Sequence, residues 1–239
     1  ENLYGCPQEV LEAMTKSYVH IYPDPSATHF CKAISSFLSI PSECIVGGSG
    51  SDDLIDILMR LVMPTSIVTA SPTFGMYSYL GKVLGNCKII DVPRIGDNFT
   101  LDVDGIIAAI RREHDQSASR VMVFIASPNN PTGSSISLCD VVRLCNEKCI
   151  VVIDEAYAEF SPCPSTVALR QEAVANKVAA AANDKELANL ITLRTFSKWA
   201  ALAGLRVGYG IAHPAFCEGM MAVKQPYNVS APASAAVCC

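Results

Sequence analysis

The sequence has little positive charge. Its 18 lysine and arginine residues are outnumbered by 23 aspartate and glutamate residues, which gives a formal net charge of −5. Proteins that bind nucleic acid usually carry a basic patch, because the phosphate backbone is polyanionic. The sequence also lacks an apolar run long enough to cross a membrane, and no signal peptide opens it. These absences argue against a nucleic-acid partner and against a membrane protein.

Signatures of metal sites and disulfide frameworks are missing as well. The 11 cysteines are an odd number and form no C-x-x-C pair, and the four histidines are scattered without metal-ligand spacing. Several cysteines, such as Cys44 and Cys149, lie in apolar runs, where cysteine behaves as a small hydrophobic residue. We therefore expect no metal site and reduced cysteines, as in the cytoplasm. Because the chain begins at Glu1 rather than at Met, targeting to an organelle stays open as an alternative.

What the sequence does contain is the pattern of an α/β protein. Hydrophobic residues make up 50% of the 239-residue chain, which is enough for one sizeable core. Predicted strands and helices alternate along most of the chain, and the strands are largely continuous apolar runs. This pattern predicts a three-layer α/β/α fold, in which helices cover both faces of a mostly parallel sheet.

The individual elements follow from hydrophobic periodicity and from turn residues. Helices are predicted over 7–17, 27–38, 74–84, 103–112, 137–147, 167–190 and 214–223, with one more that begins in the glycine-rich run 47–53 and ends at Arg60. Strands are predicted over 66–70, 88–92, 121–126, 149–153, 190–193 and 206–212, with an apolar lead over 43–46. The alanine-rich helix over 167–190 is longer than a simple connection needs.

Polar clusters follow five of the predicted strands, at 50–52, 72–74, 129–130, 154–157 and 195–198. Ligands of parallel α/β sheets bind at the carboxyl ends of the strands, so these clusters predict one shared site. In the last cluster Thr195 and Ser197 flank Lys198, and Arg206 follows. Hydroxyls and a cation suit a phosphate, while a lysine amine can form a Schiff base. A lone Ser-Lys pair would more often be a surface feature, but five clusters at one sheet edge favour a site.

The other clusters supply complementary groups. The glycine-rich turn before Asp52 exposes N–H groups that suit a phosphate, although it is neither a Walker A loop nor G-x-G-x-x-G. Asp154 closes an apolar strand, so its carboxylate needs a cationic partner such as a protonated pyridine nitrogen. Asn130 and Tyr157 can hydrogen-bond a ring oxygen, and Phe74 offers a flat face for stacking. Together these groups predict pyridoxal 5'-phosphate (PLP) as cofactor.

The motifs also resemble those of the fold-type I, class I/II PLP-dependent aminotransferases, and among these the histidinol-phosphate aminotransferases. They are, in order, Y-P-D-P at 22–25, G-S-G-S-D-D at 48–53, S-P-T-F-G-M-Y at 71–77, S-P-N-N-P-T-G at 127–133, D-E-A-Y at 154–157, R-T-F-S-K at 194–198 and L-A-G-L-R at 202–206. The N-N-P-T-G and D-E-A-Y elements are shared widely in this superfamily. The Y-P-D-P string and the strings around the lysine narrow the resemblance to the histidinol-phosphate aminotransferases.

The resemblance implies a role for each site residue. Lys198 forms the Schiff base with the cofactor and moves protons, Asp154 keeps the ring nitrogen protonated, and Tyr157 with Asn130 binds the ring hydroxyl oxygen. Phe74 stacks on the ring, where the family often has tyrosine. The implied phosphate ligands are Ser51, Asp52, Thr195, Ser197 and Arg206. Tyr22 is implied to reach the phosphate of a neighbouring subunit, which makes the protein a homodimer.

The resemblance also sets the expected domains and reaction. Residues 1–25 would form an N-terminal arm, residues 26–226 the large PLP-binding domain, and residues 227–239 the start of a C-terminal small domain that is largely absent. In the family that small domain supplies the arginine that binds the substrate carboxylate. The implied reaction is amino transfer between L-histidinol phosphate and 2-oxoglutarate in L-histidine biosynthesis. The alternatives are a related aromatic-amino-acid transaminase, a threonine-phosphate-type decarboxylase, and a non-catalytic PLP-binding fragment or regulator.

Overall fold

One seven-stranded sheet forms the centre of the fold. The computed structural model describes residues 1–85, 87–116, 119–179 and 187–239. Its strands are β1 (Ile45–Gly48), β2 (Ser66–Thr69), β3 (Lys88–Asp91), β4 (Val121–Ala126), β5 (Ile150–Asp154), β6 (Leu190–Thr195) and β7 (Gly208–Ile211). Their order across the sheet is β1-β7-β6-β5-β4-β2-β3.

The sheet is mostly parallel, as predicted. Strands β3, β2, β4, β5 and β6 run in one direction, whereas β7 is antiparallel to both of its neighbours, β6 and β1. Because two reversals cancel, β1 runs in the same direction as β6. In the register of the central strands, Asp154 lies opposite Ala126 on one side and Leu193 on the other. The carboxyl ends of β4, β5 and β6 therefore lie level at one edge.

Helices cover the sheet on both faces. They are α1 (Gln8–Thr15), α2 (Thr28–Leu38), α3 (Gly50–Val62), α4 (Met76–Val83), α5 (Val103–Gln116), α6 (Leu138–Cys145), α7 (Val167–Ala179), α8 (Pro214–Val223) and α9 (Ala231–Val237). Successive strand residues point to opposite faces. Val152 thus joins a buried cluster with α3, α4 and α8, while Val151 and Ile153 join another with α5 and α6. The predicted three-layer architecture is confirmed.

Helix α3 follows β1, and its first turn lies at the site. Its first turn carries Asp52 and Asp53, whose negative charge complements the positive end of the helix dipole. The Asp53 carboxylate also accepts a hydrogen bond from the Ser49 N–H group at 2.8 Å, which satisfies one donor at the helix start. The helix ends at Val62, and the next residue, Met63, has a left-handed backbone at φ 48°. The start of α3 is therefore fixed directly behind the sheet edge.

Several predicted boundaries differ from those in the structure. The strand over 121–126 and the helix over 214–223 are confirmed, while the helix predicted to end at residue 112 continues to Gln116 as α5. The prediction of one helix over 167–190 is wrong at its end, because residues 187–189 form a turn and Leu190 already begins β6. Residues 180–186 of that prediction lie outside the described part of the chain.

The sequence also gave no indication of helix α9. It begins after Ser230, whose hydroxyl accepts a hydrogen bond from the Ala233 N–H group, and it packs against α1 and α2 with Ala233 and Ala236 buried. Its seven residues are too short for a clear helical period. The division of the chain at residues 25 and 226 stays a prediction.

Free thiols in the described ranges include Cys31, Cys145, Cys149 and Cys217, all of which are buried. Within the described ranges, no group of three or more histidine, cysteine, aspartate or glutamate side chains is arranged to hold a metal ion. None of the helices there has the length and apolar character that a bilayer span requires.

Candidate active site

A cavity of about 340 Å³ opens at the carboxyl edge of the sheet. That volume lies in the range of small-molecule sites. Ten of the eleven predicted site residues line it: Ser51, Asp52, Phe74, Asn130, Asp154, Tyr157, Thr195, Ser197, Lys198 and Arg206. They come from the loops and helix starts that follow β1, β2, β4, β5 and β6, as the rule for parallel sheets predicts.

Asp154 is a buried acid at the floor of this cavity. Its side chain ends β5, and the residue is only 4% exposed. One oxygen, Oδ2, accepts a hydrogen bond from the Tyr77 hydroxyl at 2.8 Å, and Oδ1 accepts one from the Ala156 N–H group at 3.1 Å. Burial raises the pKa of Asp154 to about 6, although both hydrogen bonds oppose that rise. No lysine or arginine in the described ranges forms a salt bridge with it, so a cationic ligand group would find an unpaired carboxylate here.

Lys198 lies in the loop after β6 and carries the amine of the cavity. Its Nζ atom lies 5.6 Å from the centre of the Tyr157 ring, a cation–π contact that places the amine beside the phenol. Within the described ranges the amine forms no salt bridge. Lys198 and Asp154 therefore present a primary amine and a buried acid to one cavity, which suits a ligand that carries both a carbonyl group and a basic ring nitrogen.

Two hydroxyls beside the lysine are fixed by one another. Thr195 Oγ1 donates to Ser197 Oγ at 2.9 Å and accepts from the Ser197 N–H group at 3.1 Å. The guanidinium of Arg206 approaches the Ser197 hydroxyl at 3.5 Å and the Asp52 carboxylate at 3.5 Å. Both charged side chains are about half exposed, at 48% and 45%, so their pairing is weak and screened by solvent. The guanidinium thus keeps donors for an anion.

The start of α3 completes this anion-binding end. Ser51 and Asp52 lie in the first turn of α3, where N–H groups lack acceptors within the helix. Gly50, before them, has φ +84°, and a Cβ at that position would lie 2.8 Å from Arg206 Nη2. The backbone conformation at this position favours glycine, and a Cβ there would also displace the end of the Arg206 side chain. Hydroxyls, N–H groups and a guanidinium form a donor set that fits a phosphate.

The loops after β2 and β4 hold each other through Asn129, which sequence reasoning missed. Its side-chain oxygen accepts from Thr73 Oγ1 at 2.7 Å. Its amide nitrogen donates to the Pro72 carbonyl at 2.9 Å and to Thr132 Oγ1 at 2.8 Å. Asn129 thereby connects the loop that carries Phe74 with the loop that carries Asn130. The N-N-P-T-G motif contained this residue, but only its second asparagine was assigned a role.

Tyr77 is the second residue that sequence reasoning missed. It is fully buried in α4, stacks on Phe124 at 5.1 Å, and donates its hydroxyl to Asp154. Its position three residues after Phe74, at the start of a helix, was the available signal, since residues at i and i+3 share one side of a helix. An apolar pattern predicts that a tyrosine is buried in the core, but it does not indicate a role for the hydroxyl group.

A buried ion network supports the same sheet edge from the side. Arg194, in β6, donates to Glu155 at 2.9 Å and to Glu159 at 2.6 Å. The Glu155 carboxylate also accepts from Ser165 and from both the N–H group and hydroxyl of Thr166. These bonds connect the residue after Asp154 with the residue before Thr195.

Tyr22 is the one predicted site residue that does not line the cavity. Its side chain is 80% exposed and stacks on Tyr227, with ring centres 4.7 Å apart and an angle of 27° between the planes. An exposed aromatic pair on the N-terminal arm is available to contact another molecule. The role of Tyr22 at a neighbouring subunit stays a prediction.

The chain matches known proteins along its whole length. The family model described as aminotransferase class I and II matches residues 1–238. A chloroplastic histidinol-phosphate aminotransferase from Nicotiana plumbaginifolia is 40% identical over 241 residues, which cover all of this chain and 53% of the relative. The histidinol-phosphate aminotransferase of Roseiflexus castenholzii is 39% identical and is covered to 60%, against 99% of this chain. The chain thus spans about half to three fifths of the length of these relatives.

Solved structures share the fold. The histidinol-phosphate aminotransferase of Sinorhizobium meliloti, solved in complex with pyridoxal-5'-phosphate, superposes with a TM-score of 0.83 at 28% identity, covering 100% of this chain and 61% of that one. The corresponding enzyme of Clostridium acetobutylicum gives a TM-score of 0.79 at 25% identity, with 99% and 66% covered. Both resemblances extend over the sheet and the loops that form the cavity.

Proposed function

The chain belongs to the class I and II aminotransferase family, and on that premise we propose that its cavity binds PLP and that the protein is a histidinol-phosphate aminotransferase. The proposed reaction converts L-histidinol phosphate and 2-oxoglutarate to imidazole acetol phosphate and glutamate, in L-histidine biosynthesis. The observation that carries the proposal is the meeting of Lys198, Asp154 and a phosphate-type donor set in one cavity. The relatives at 39–40% identity support the choice of substrate.

The residues present fit this cofactor group by group. Asp154 would hold the ring nitrogen, since its carboxylate is buried and has no cationic partner among the described residues. Asn130 and Tyr157 would hydrogen-bond the ring oxygen, and Phe74 would cover one face of the ring. The phosphate would be held by the hydroxyls of Thr195 and Ser197, the first turn of α3 and the guanidinium of Arg206. When bound, PLP supplies an electron sink for the substrate α-carbon.

The chemistry of the chain itself then falls mainly to Lys198. Its Nζ atom would hold the cofactor covalently, and it is the base that would take the proton from the α-carbon of the amino donor. The Tyr157 ring keeps the amine near that position through the 5.6 Å contact. Asp154 would stabilise positive charge on the ring nitrogen, and its burial would shield that carboxylate from solvent.

Two measurements test the cofactor and the substrate in turn. Purified protein mixed with PLP should show a visible absorption band from the lysine-bound cofactor, and Lys198→Ala should lose it, while the exposed control Lys82→Ala should keep it. An unchanged spectrum on adding PLP would refute the cofactor assignment. Histidinol phosphate, phenylalanine, threonine phosphate and glutamate are then added in separate samples, and the loss of this absorption band is measured in each. Binding of PLP without any reaction would favour the non-catalytic alternative. A preference for phenylalanine would favour an aromatic-amino-acid transaminase, and a preference for threonine phosphate would favour a threonine-phosphate-type decarboxylase.

We also propose that the protein is a homodimer in which Tyr22 reaches the site of the partner. The 80% exposure of Tyr22 supports a contact made outside its own chain. Sedimentation gives the oligomeric state. If sites are shared, mixing a Tyr22→Ala chain with a Lys198→Ala chain should yield some dimers with one intact site. Activity that never exceeds the sum of the two single variants would contradict sharing.

For the compartment we propose the cytoplasm, in line with free thiols such as Cys139 and Cys163 on the surface of the chain. The relatives from Nicotiana and Arabidopsis are named as chloroplastic, so a plastid is the specific alternative. A fluorescent fusion of the complete gene product, imaged in the source cells, distinguishes a diffuse cytoplasmic signal from an organellar one.

A further inference from the structure

We propose that Tyr77 is a positioning residue for the cofactor: its hydroxyl orients the Asp154 carboxylate toward the ring nitrogen, and its ring supports Phe74. This inference rests on the proposed function, because it concerns the same cavity. Tyr77 does not carry chemistry itself. It acts through two neighbours, one that would pair with the ring nitrogen and one that would cover the ring face.

The geometry at the carboxylate is the first argument. Asp154 has two oxygens, and each already has one donor: Tyr77 to Oδ2 at 2.8 Å and the Ala156 N–H group to Oδ1 at 3.1 Å. With one donor from a helix on the sheet face and one from its own loop, the carboxylate plane cannot rotate freely. A carboxylate oxygen accepts more than one hydrogen bond, so capacity for a ring N–H remains. The hydroxyl therefore fixes orientation and leaves the binding position open.

The packing of the ring is the second argument. The Tyr77 ring stacks on Phe124 of β4 at 5.1 Å with 16° between the planes, and the Phe74 ring stands edge-on to it at 5.6 Å and 78°. Both arrangements are favourable for aromatic pairs. Because Tyr77 is fully buried and Phe74 only partly, the tyrosine is the fixed member of the pair. One side chain thus sets the relative position of the acid and the stacking face.

The charges around Asp154 show why a fixed donor matters there. Asp52 on α3 and Glu155, the next residue along the chain, both disfavour its ionised form, and burial disfavours it more strongly than either. Lys198, Arg206 and Tyr157 line the same cavity without a salt bridge to Asp154 in the described ranges. Tyr77 and Ala156 are the donors that stabilise the ionised form. The pKa of the Tyr77 hydroxyl is raised well above its ordinary value by burial and by Asp154, so the hydroxyl keeps its proton and always donates.

A purely structural reading treats Tyr77 as a core residue whose hydroxyl is satisfied incidentally. The two readings differ in Tyr77→Phe, which removes only the hydroxyl and keeps the stacked ring. If the hydroxyl positions Asp154, the titration midpoint of Asp154 in the cofactor-free protein should rise by about one pH unit, since hydrogen bonds to a charged group are comparatively strong. Carbon-13 NMR of labelled aspartate measures this midpoint without any cofactor.

Cofactor affinity provides the second readout. The dissociation constant for PLP should rise about tenfold in Tyr77→Phe at pH 7.5, and the absorption band of bound cofactor should shift because its ring nitrogen loses an oriented partner. In an Asp154→Asn background the same tyrosine change should alter the constant less than about twofold, because the interaction it serves is already removed. The matched control is Tyr79→Phe, an exposed tyrosine on the same helix, which should change neither quantity.

Several outcomes would overturn the inference. An unchanged Asp154 midpoint and an unchanged dissociation constant in Tyr77→Phe would do so directly. An equal loss of affinity in the wild-type and Asp154→Asn backgrounds would show that Tyr77 acts only through the core. If the wild-type chain itself fails to bind PLP, the proposed function fails first, and this is visible before any variant is compared. Should Tyr77→Phe not fold, a fluorinated tyrosine at position 77 keeps the shape with a stronger donor, and the midpoint should then fall.

Discussion

Removing Arg194 tests how the sheet edge beneath the site is held. Arg194 is 7% exposed and Glu155 is 2% exposed, so Arg194→Met leaves a buried carboxylate without its cation. Breaking a buried pair in this way typically costs about 3–5 kcal/mol. Glu155 would retain three donors, from Ser165 and twice from Thr166, so we expect the lower end, about 3 kcal/mol. For a chain of this size that loss lowers Tm by roughly 6–12 °C.

The assay is urea unfolding at pH 7.5 together with calorimetry, for the wild type and for three variants. Arg111→Met is the control, because it breaks an Arg–Glu pair whose arginine is 66% exposed, and it should leave Tm unchanged. Adding Glu155→Gln to Arg194→Met should recover about half of the loss, since the unpaired charge is then gone. A loss in Arg194→Met no larger than that in Arg111→Met would show that the buried pair does not hold the sheet edge, and so would a double variant less stable than Arg194→Met.

Two further predictions concern the cavity. Because burial raises the pKa of Asp154 from 3.8 to about 6, its ionisation opposes folding of the cofactor-free chain; the stabilisation by the neutral form is full below pH 3.8 and lost as pH rises through 6. Asp154→Asn should therefore stabilise that chain by about 3 kcal/mol at pH 8 and hardly at pH 4, and an equal effect at both values in chemical unfolding would contradict this. Gly50→Ala and Gly85→Ala place alanine at similar positive φ, but only at Gly50 would the new Cβ meet a neighbouring side chain, that of Arg206. Both should lose about 1 kcal/mol of stability, while only Gly50→Ala should weaken PLP binding in a fluorescence titration, and equal affinities would count against the anion-binding role of Arg206.

Much of the fold was predictable because its strands are uninterrupted apolar runs. The six residues from Val121 to Ala126 are buried without exception, and their boundaries were predicted correctly. The end of the helix in the alanine-rich segment after Val167 was harder to predict. Alanine favours a helix, but a run of alanines has no apolar and polar sides whose pattern would mark the last helical residue. Helix α9 was not predicted for a related reason. It is stabilised by packing on α1 and α2, and a local sequence pattern does not indicate such contacts.

The site was predictable to the extent that its residues lie at strand ends. Lys198 and Asp154 each follow an apolar run, so the topology alone brings them together. Tyr77 and Asn129 were not predicted, because their importance lies in contacts between segments distant in sequence. Tyr77 contacts Asp154, 77 residues away, and Asn129 contacts Thr73, 56 residues away. A single sequence shows that such residues are polar or aromatic, but it does not show which neighbour they meet.

The antiparallel pairing of β1 with β7 gives the anion-binding end an unusual place in the assembly of the chain. Arg206 lies two residues before β7, and Ser51 lies three residues after β1, so both lie near the contact that joins these two strands. That contact joins segments distant in sequence and is part of the folded sheet. A phosphate bound there is a ligand of the completed sheet alone, and by mass action it shifts the folding equilibrium toward that state. Cofactor supply would then set how much of this protein persists in a cell as well as how much of it is active.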